Sequence, residues 1–339
     1  MSILITGGAG YIGSHTCSLF LDAGHDIVVV DNFCNSSPES LRRVKDLTGK
    51  TFEIYEEDVC DKSALDKIFT KHNIDAVIHF AGLKAVGESN EIPLAYYHTN
   101  LGGTISLCEV MAKHGCRKLV FSSSATVYGD PETVPITEDS PTSATNPYGR
   151  SKLMVEEVLR DLQKSQPDFW SITLLRYFNP IGAHKSGQIG EDPSNIPNNL
   201  LPYIAQVASG KLDCVNVFGD DYDTRDGTGV RDYIHVLDLA QGHLDALNHL
   251  NTNKPALNIF NLGTGNGYSV LEMVEKFREI SGKAIPHRVA PRRQGDIATC
   301  YADASKAARE LKWQCQYGLD EMISDTWNWQ SRNPKGFSV

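Results

Sequence analysis

The chain has 339 residues, a length that predicts about two domains or one large one. Its 41% hydrophobic and 22% charged residues are ordinary for a soluble globular protein with a sizeable core and no need of a disulfide scaffold. The formal net charge of −10 argues against nucleic acid or anionic membrane as partners, since both need a basic footprint, but a few local cations suffice for a small anionic ligand. No leader of basic and apolar residues precedes the first strand-like run, and no stretch approaches the ~18 apolar residues of a membrane span, so a cytoplasmic protein is expected. The eight cysteines form no C-x-x-C pair and no zinc-type spacing with the eleven histidines. Most of them read as small buried hydrophobes in a reducing compartment, and no metal site is expected.

In chain order, β-branched runs at 2–6, 26–30, 51–55, 76–80, 118–122 and 171–175 read as buried strands. Helical patterns lie between them at 11–23, 37–47, 61–71, 92–114 and 147–165; Asp61 can cap the third, and Gly24 and Gly115 follow helix ends. This alternation predicts an α/β fold, a Rossmann-type doubly wound parallel sheet over 1–175. After 175 the rhythm breaks. The stretches 179–199 and 218–229 are rich in Gly, Pro, Asn and Asp and read as long functional loops. A helix at 237–250 and a strand at 258–262 are expected to return to the main sheet. Ser269 and Glu272 form a capping box, and Asp303 can cap a helix through 311. A smaller α/β substrate domain is therefore expected over 176–339.

Gly7-Gly8-Ala9-Gly10-Tyr11-Ile12-Gly13 directly follows the first strand and opens the first helix, the context a phosphate-binding turn requires. Gly7 is expected to make the tight turn, Gly10 to let the backbone approach a pyrophosphate, and Gly13 to permit close helix–strand packing. The helix N-terminus adds unpaired N–H groups and a positive dipole. Asp31, at the end of the second strand, stands where an acid binds the adenosine ribose; its carboxylate would repel a 2′-phosphate, so NAD rather than NADP is predicted. Asp58 follows the third strand and reads equally as an adenine ligand or a solvated turn residue. Phe80-Ala81-Gly82 closes the fourth strand with small residues beside which a cofactor can lie.

Tyr148-Gly149-Arg150-Ser151-Lys152 is a Y-x-x-x-K pair just inside a helix opened by Asn146-Pro147, with both side chains on one face. A phenol is a poor base at neutral pH, but an adjacent ammonium and a cationic nicotinamide ring would depress its pKa. Upstream, Ser122-Ser123-Ser124-Ala125-Thr126-Val127-Tyr128-Gly129 ends the fifth strand at the edge where parallel sheets bind ligands. Ser124 there can bridge a substrate hydroxyl to Tyr148.

Further motifs follow in order: His79-Phe80-Ala81-Gly82-Leu83-Lys84-Ala85-Val86-Gly87-Glu88-Ser89, Leu175-Arg176-Tyr177-Phe178-Asn179-Pro180, Ile196-Pro197-Asn198-Asn199-Leu200, Gly229-Val230-Arg231-Asp232-Tyr233-Ile234-His235 and Arg292-Arg293-Gln294-Gly295-Asp296. With these, the chain resembles the extended short-chain dehydrogenase/reductase superfamily and, more closely, its UDP-glucose 4-epimerase (UDP-galactose 4-epimerase) family. The resemblance implies an isomerase of galactose metabolism that interconverts UDP-glucose and UDP-galactose with NAD held through the cycle. Tyr148, helped by Ser124, takes the proton of the sugar 4-hydroxyl. The C4 hydride moves to the nicotinamide, and the 4-keto sugar turns and receives it on the other face. Remote anchoring of the nucleotide must then hold a loosely gripped sugar.

By the same resemblance, Tyr11, Ile12, Asn32, Asn35, Ser36, Val59, Lys84, Asn100, Ser122, Tyr177 and Phe178 join the cofactor contacts, with Lys152 on the nicotinamide ribose. Lys84, Ser124, Thr126, Tyr148, Phe178, Asn179, Asn198, Asn199, Leu200, Asn216, Val217 and Phe218 line the substrate. Arg231 and Arg293 pair with its diphosphate, and Asp296 holds the uridine ribose. Read alone, Arg231 is a loop cation next to Asp232 that fits a surface salt bridge at least as well as a phosphate ligand, and Phe218 is a core residue. A homodimer is implied, with helices 92–114 and 147–165 pairing as a four-helix bundle. Cys300, four residues after Asp296, stands where a larger tyrosine in some members restricts N-acetylated sugars, so acceptance of UDP-N-acetylglucosamine and UDP-N-acetylgalactosamine is expected. Ser124-Ala125-Thr126 lacks the Asp-Glu pair of sugar-nucleotide 4,6-dehydratases. A redox-sensing regulator would not need Tyr148 and Lys152, and a reductase would exchange its cofactor.

Overall fold

The computed structural model describes residues 1–193, 197, 199–293 and 295–338; Asn198, a predicted substrate residue, lies outside them. Strands β1 (Ser2–Thr6), β2 (Asp26–Val30), β3 (Glu53–Tyr55), β4 (Ala76–His79), β5 (Lys118–Ser124) and β6 (Ser171–Tyr177) form one parallel sheet with the strand Leu257–Leu262. The seven strands run in the order Leu257–Leu262, β6, β5, β4, β1, β2, β3. Helices cover both faces, so consecutive residues of one strand are all apolar: Ile3, Leu4 and Ile5 are each fully buried. One core gathers Phe20, Leu41, Leu247 and Trp313, and the other Leu65, Leu107, Met111 and Leu159. The strand order reverses between β1 and β4, which opens a crevice at their carboxyl ends.

The strand Leu257–Leu262 pairs in parallel with β6, from Leu257 opposite Ile172 to Leu262 opposite Tyr177. Its preceding helix, Val236–Thr252, packs on helix α1 (Tyr11–Asp22). The remaining C-terminal residues build small sheets above the crevice. Val230–His235 pairs with Asn179–Ile181, Gly267–Ser269 and Thr299–Cys300, and Val215–Phe218 pairs with His287–Ala290. Helices Leu200–Ala208, Val270–Ser281 and Leu319–Arg332 pack around a core of Ile204, Met273, Phe277 and Ile323.

Local chemistry accounts for most boundaries. Ser37, Asp61, Asn146 and Ser269 each accept a backbone N–H at their helix N-terminus, and Glu272 completes the capping box at Ser269. Gly24 and Gly115 take positive φ after their helices. Several expectations are corrected. β5 and β6 each run two residues past the apolar pattern, because Ser123 and Arg176 find a buried carboxylate. The single helix 92–114 is instead Pro93–Tyr96, a wider π turn over Tyr97–Gly102, and Gly103–Lys113, preceded by an unforeseen helix Val86–Glu91. Asp303 accepts the Ser305 N–H at 2.8 Å, but the helix itself is Ser305–Glu310. The stretch 179–199 opens with a strand rather than a loop, paired through Pro180 and Ile181 to Ile234 and His235. Of the cysteines only Cys17, Cys108, Cys116 and Cys300 are buried; Cys34 is exposed, and all eight are free thiols.

Candidate active site

The glycine turn closes on itself. Gly7 has φ +69°, and a Cβ there would sit 2.7 Å from the Ala81 nitrogen, so β1 and the end of β4 touch backbone to backbone. A Cβ on Gly13 would come within 2.3 Å of the Gly7 carbonyl. Helix α1 therefore starts close against the sheet, with Gly10 at its N-cap and its first amides free for an anion. Buried Asp31 ties the turn down. Its Oδ2 accepts the Ala9 N–H at 2.9 Å, and its Oδ1 accepts Phe33 N–H at 3.0 Å and the Ser36 hydroxyl at 2.8 Å. Asn32 donates to Asp58 at 2.9 Å, and Asn35 is exposed in the same loop. Although burial opposes it, hydrogen bonds from Cys60 and Asn32 hold the Asp58 carboxyl below its ordinary range, so it stays an acceptor.

Two predicted contacts can reach a ligand only through the backbone or by packing. Val59 is buried against Gly103, and Val217 points into the core while Asn216 and Phe218 alternate outward. Ile12 packs at the edge of the core. Asn100, buried in the π turn, uses its whole amide inside the protein. It accepts Leu83 N–H at 2.8 Å and donates to Leu83 O at 3.0 Å and Ser151 Oγ at 2.9 Å. It thereby shapes the Gly82–Leu83 floor, and a Cβ on Gly82 would lie 2.8 Å from its Oδ1. Extra residues at π turns recur at functional sites. Tyr11 donates to Gly182 O at 2.6 Å and so links the glycine turn to the upper half of the molecule.

At the carboxyl end of β5, Ser124 caps a 3₁₀ turn over Ala125–Tyr128. Its Oγ accepts Thr126 N–H at 3.2 Å and Thr126 Oγ1 at 2.9 Å, which leaves its own proton to donate. Lys152 is buried and donates from Nζ to the Ser122 carbonyl at 2.7 Å. Burial pulls its ammonium down to about 8. Tyr148 lies one turn earlier on the same helix, with Tyr96 edge-on at 6.5 Å between ring centroids. Burial pushes the Tyr148 phenol up, and Ser124 pulls it part of the way back. The expected depression by Lys152 is thus not supplied by the chain alone, because desolvation dominates and the ammonium is turned toward Ser122 O. Tyr177 hydrogen-bonds His243 at 2.8 Å, and Phe80 packs on the same imidazole.

Above the Ser124 turn, Phe178, Ala125, Val127 and Cys300 share one buried cluster. Burial pushes the Cys300 thiol up to about 11. Arg231 is not a loop cation: it lies on the strand Val230–His235 opposite Cys300 and donates to Val230 O at 2.9 Å. Nor does it pair with Asp232. Strand alternation turns Asp232 inward, where it accepts from Thr264, Gly265 and Ala302. Arg293 forms a bidentate pair with Asp296 at 2.9 and 3.3 Å, and its guanidinium lies 4.7 Å from the Phe218 ring centroid, so Phe218 is a platform rather than core. Asn179 is exposed at the start of the strand Asn179–Ile181, and Leu200 opens its helix behind Asn199. Sequence reasoning missed Glu191, whose Oε1 takes both Lys84 Nζ at 3.2 Å and Asn199 Nδ2 at 2.8 Å. Nothing in its Gly-Glu-Asp-Pro surroundings marks it out before the loop folds.

Comparison with known proteins agrees with this geometry. The GDP-mannose 4,6 dehydratase family model matches residues 4–326. The UDP-glucose 4-epimerase of Bacillus subtilis (strain 168) is 62% identical over 337 residues, 99% of each chain, and that of Haemophilus influenzae is 60% identical over 338 residues, also 99% of each. The chain belongs to the UDP-glucose 4-epimerases. A crystal structure of the epimerase from Bifidobacterium longum in complex with NAD+ and UDP superposes with a TM-score of 0.96 at 54% identity, covering 99% of this chain and 100% of that one. The dehydratase description of the wider family does not carry over to the chemistry of an epimerase whose turn reads Ser124-Ala125-Thr126.

The residues present fit a dinucleotide: a turn that a Cβ at Gly7 or Gly13 would fill, free amides at the start of α1, and the Asp31 carboxylate beside them. Among the described residues, no group of three or more His, Cys, Asp or Glu could hold a metal ion.

Proposed function

We propose that the chain interconverts UDP-glucose and UDP-galactose at C4, using NAD that stays bound. The observation that carries this reading is the meeting of Tyr148, Lys152 and Ser124 at the end of β5, beside the glycine turn, without a carboxylate at 125 or 126. When bound, NAD supplies reversible acceptance of the C4 hydride, so the sugar passes through a 4-keto form. Tyr148 takes the 4-hydroxyl proton and later returns it, and Ser124 donates its free proton to the substrate or phenol oxygen. Lys152 keeps two donors beyond its bond to Ser122 O for the nicotinamide ribose. Asp31, already an acceptor from three groups, takes the adenosine ribose and disfavours a 2′-phosphate. Arg231 and Arg293 supply bidentate cations for the UDP diphosphate, with Asp296 on the uridine ribose. Incubating the purified protein with UDP-galactose and no added NAD should yield UDP-glucose; no product from nicotinamide-loaded protein refutes the reading.

The N-acetylated pair UDP-N-acetylglucosamine and UDP-N-acetylgalactosamine is proposed as a second substrate pair. The supporting observation is that small Cys300 shares one buried cluster with Phe178 and Ala125, next to the Ser124 turn. Absence of an epimer from UDP-N-acetylglucosamine overturns this part alone. We further propose a cytoplasmic homodimer. Its support is the set of free thiols, which suits a reducing compartment. Exposed Val86, Ile92, Leu94, Ile105 and Met154 also give the helices of 86–113 and Pro147–Ser165 an apolar outer face. No helix among the described residues is long and apolar enough to cross a membrane. Leu94→Glu with Met154→Glu should halve the mass in solution.

A further inference from the structure

Beneath the site lies a charged pair that the mechanism above does not use. Glu156 and Arg176 are buried essentially completely. Glu156 follows Tyr148 and Lys152 at intervals of four on one helix face, and Arg176 sits near the end of β6. The pair is bidentate: Arg176 Nε donates to Oε1 at 2.9 Å and Nη2 to Oε2 at 2.6 Å. The rest of its hydrogen bonding is directed. Glu156 Oε1 also accepts Ser123 Oγ at 2.5 Å, immediately before Ser124. Arg176 Nη1 donates to Tyr128 Oη at 2.9 Å, at the last residue of the 3₁₀ turn that Ser124 caps, and to Glu138 O at 3.3 Å. Tyr128 in turn donates to Asn261 at 2.6 Å. Arg160 closes the set with a bond to Oε2 at 2.9 Å.

The turn carrying Ser124 is therefore held at one end by the acid of this pair and at the other by its base, and the acid rides on the helix that carries Tyr148. Buried ion pairs are poor stability devices, because apolar replacements of similar volume are often neutral or stabilising, whereas breaking one partner is costly. What this pair supplies is geometry: it locks the rotation of the Tyr148 helix to the Ser124 turn. We infer that Glu156 and Arg176 are positioning residues for the epimerase reaction, setting the Tyr148–Ser124 alignment through Ser123 and Tyr128. The inference rests on Tyr148 and Ser124 as the reacting pair.

The test compares Glu156→Gln, Arg176→Lys and the milder double variant Ser123→Ala with Tyr128→Phe. The double variant frees both ends of the turn and leaves the ion pair whole, so it answers the question even where a broken pair fails to fold. Turnover is normalised to bound nicotinamide. Misplacement of reacting groups by about 1 Å lowers rates as much as ~100-fold, so kcat should fall roughly 10- to 100-fold with KM for UDP-galactose within twofold of wild type. Because Ser124 holds the Tyr148 phenol down, loosening the alignment should also move the acid limb of the kcat–pH profile to higher pH. A lower melting temperature with kcat and the pH profile unchanged overturns the inference in favour of a purely structural pair. Tyr148→Phe is run in parallel: loss of its turnover beside unaltered positioning variants sinks the inference alone, whereas retained turnover sinks the site reading on which it rests.

Discussion

The cofactor half and the substrate half of the site are built on opposite plans. Around the glycine turn the key buried side chains are already hydrogen-bonded within the protein. Asp31 takes three hydrogen bonds, Asn100 uses its whole amide on Leu83 and Ser151, and Lys152 is buried on Ser122 O. Across the crevice exposed cations rest on acids they can leave, Arg293 on Asp296 and Arg292 on Asp221, and so does Lys84 on Glu191 where the two halves meet. Exposed pairs of this kind contribute little to stability. A preorganised, buried frame suits a ligand that stays, and exchangeable surface cations suit an anionic ligand that comes and goes.

The largest effect should come from the buried half. Tyr148→Phe should lose about 100- to 10,000-fold in kcat, because it removes the proposed general acid–base, while retaining NAD, measured as nicotinamide absorbance after gel filtration. Next is Lys152. Its folded-state pKa of about 8 lies below the ordinary 10.5 of an unfolded lysine, so the unfolded chain binds the extra proton between those values. Its burial therefore opposes folding below pH 8, and the penalty is relieved as pH rises from 8 toward 10.5. Against Lys152→Met, the cofactor-free wild type should gain up to about 3 kcal/mol across that window, read as the difference in urea unfolding free energies. A constant difference would contradict the buried ammonium.

On the substrate side the effects should be smaller and confined to KM. Arg231→Ala should raise KM for UDP-galactose by roughly tenfold or more, the value of one charge-assisted hydrogen bond, with bound NAD unchanged. Loss of NAD in that variant would break the division between the halves. The least effect on stability is expected from Glu191→Gln, which removes the partner of a largely exposed lysine and should shift unfolding by less than about 1 kcal/mol. A loss of several kcal/mol would mean that this wall is as rigid as the cofactor side.

What is legible in the sequence is what is local in the chain. The glycine turn, the helix caps at Asp61 and Ser269, and the Tyr148–Lys152 spacing each involve residues within a turn or two of one another. Their geometry follows from backbone periodicity and short-range hydrogen bonding. The resemblance to a known family extended that list to Arg231 and Arg293 but not to their surroundings. Adjacency in sequence leaves an Arg231–Asp232 pair open beside a phosphate role, and the strand closes it by sending the two neighbours to opposite faces. Tyr97–Gly102 read as ordinary helix because a π turn needs one extra residue, not a different residue type. Glu191 was invisible because its partners stand 107 residues before it and 8 after it, joined only by folded loops.

The alternating strands and helices, the glycine turn, the acid after the second strand and the phenol–ammonium pair are all written in the chain's local order. Periodicity and capping are properties of the covalent chain and need no distant neighbour. It took the folded chain to show that Ser124 caps the turn beside Tyr148, that Cys300 is buried in one cluster with Phe178, and that Glu156 meets Arg176 beneath both. The meeting of Glu156 and Arg176 depends on the order in which parallel strands pair, and a buried carboxylate becomes legible only once the fold has removed water and turned Ser123, Arg176 and Arg160 toward it.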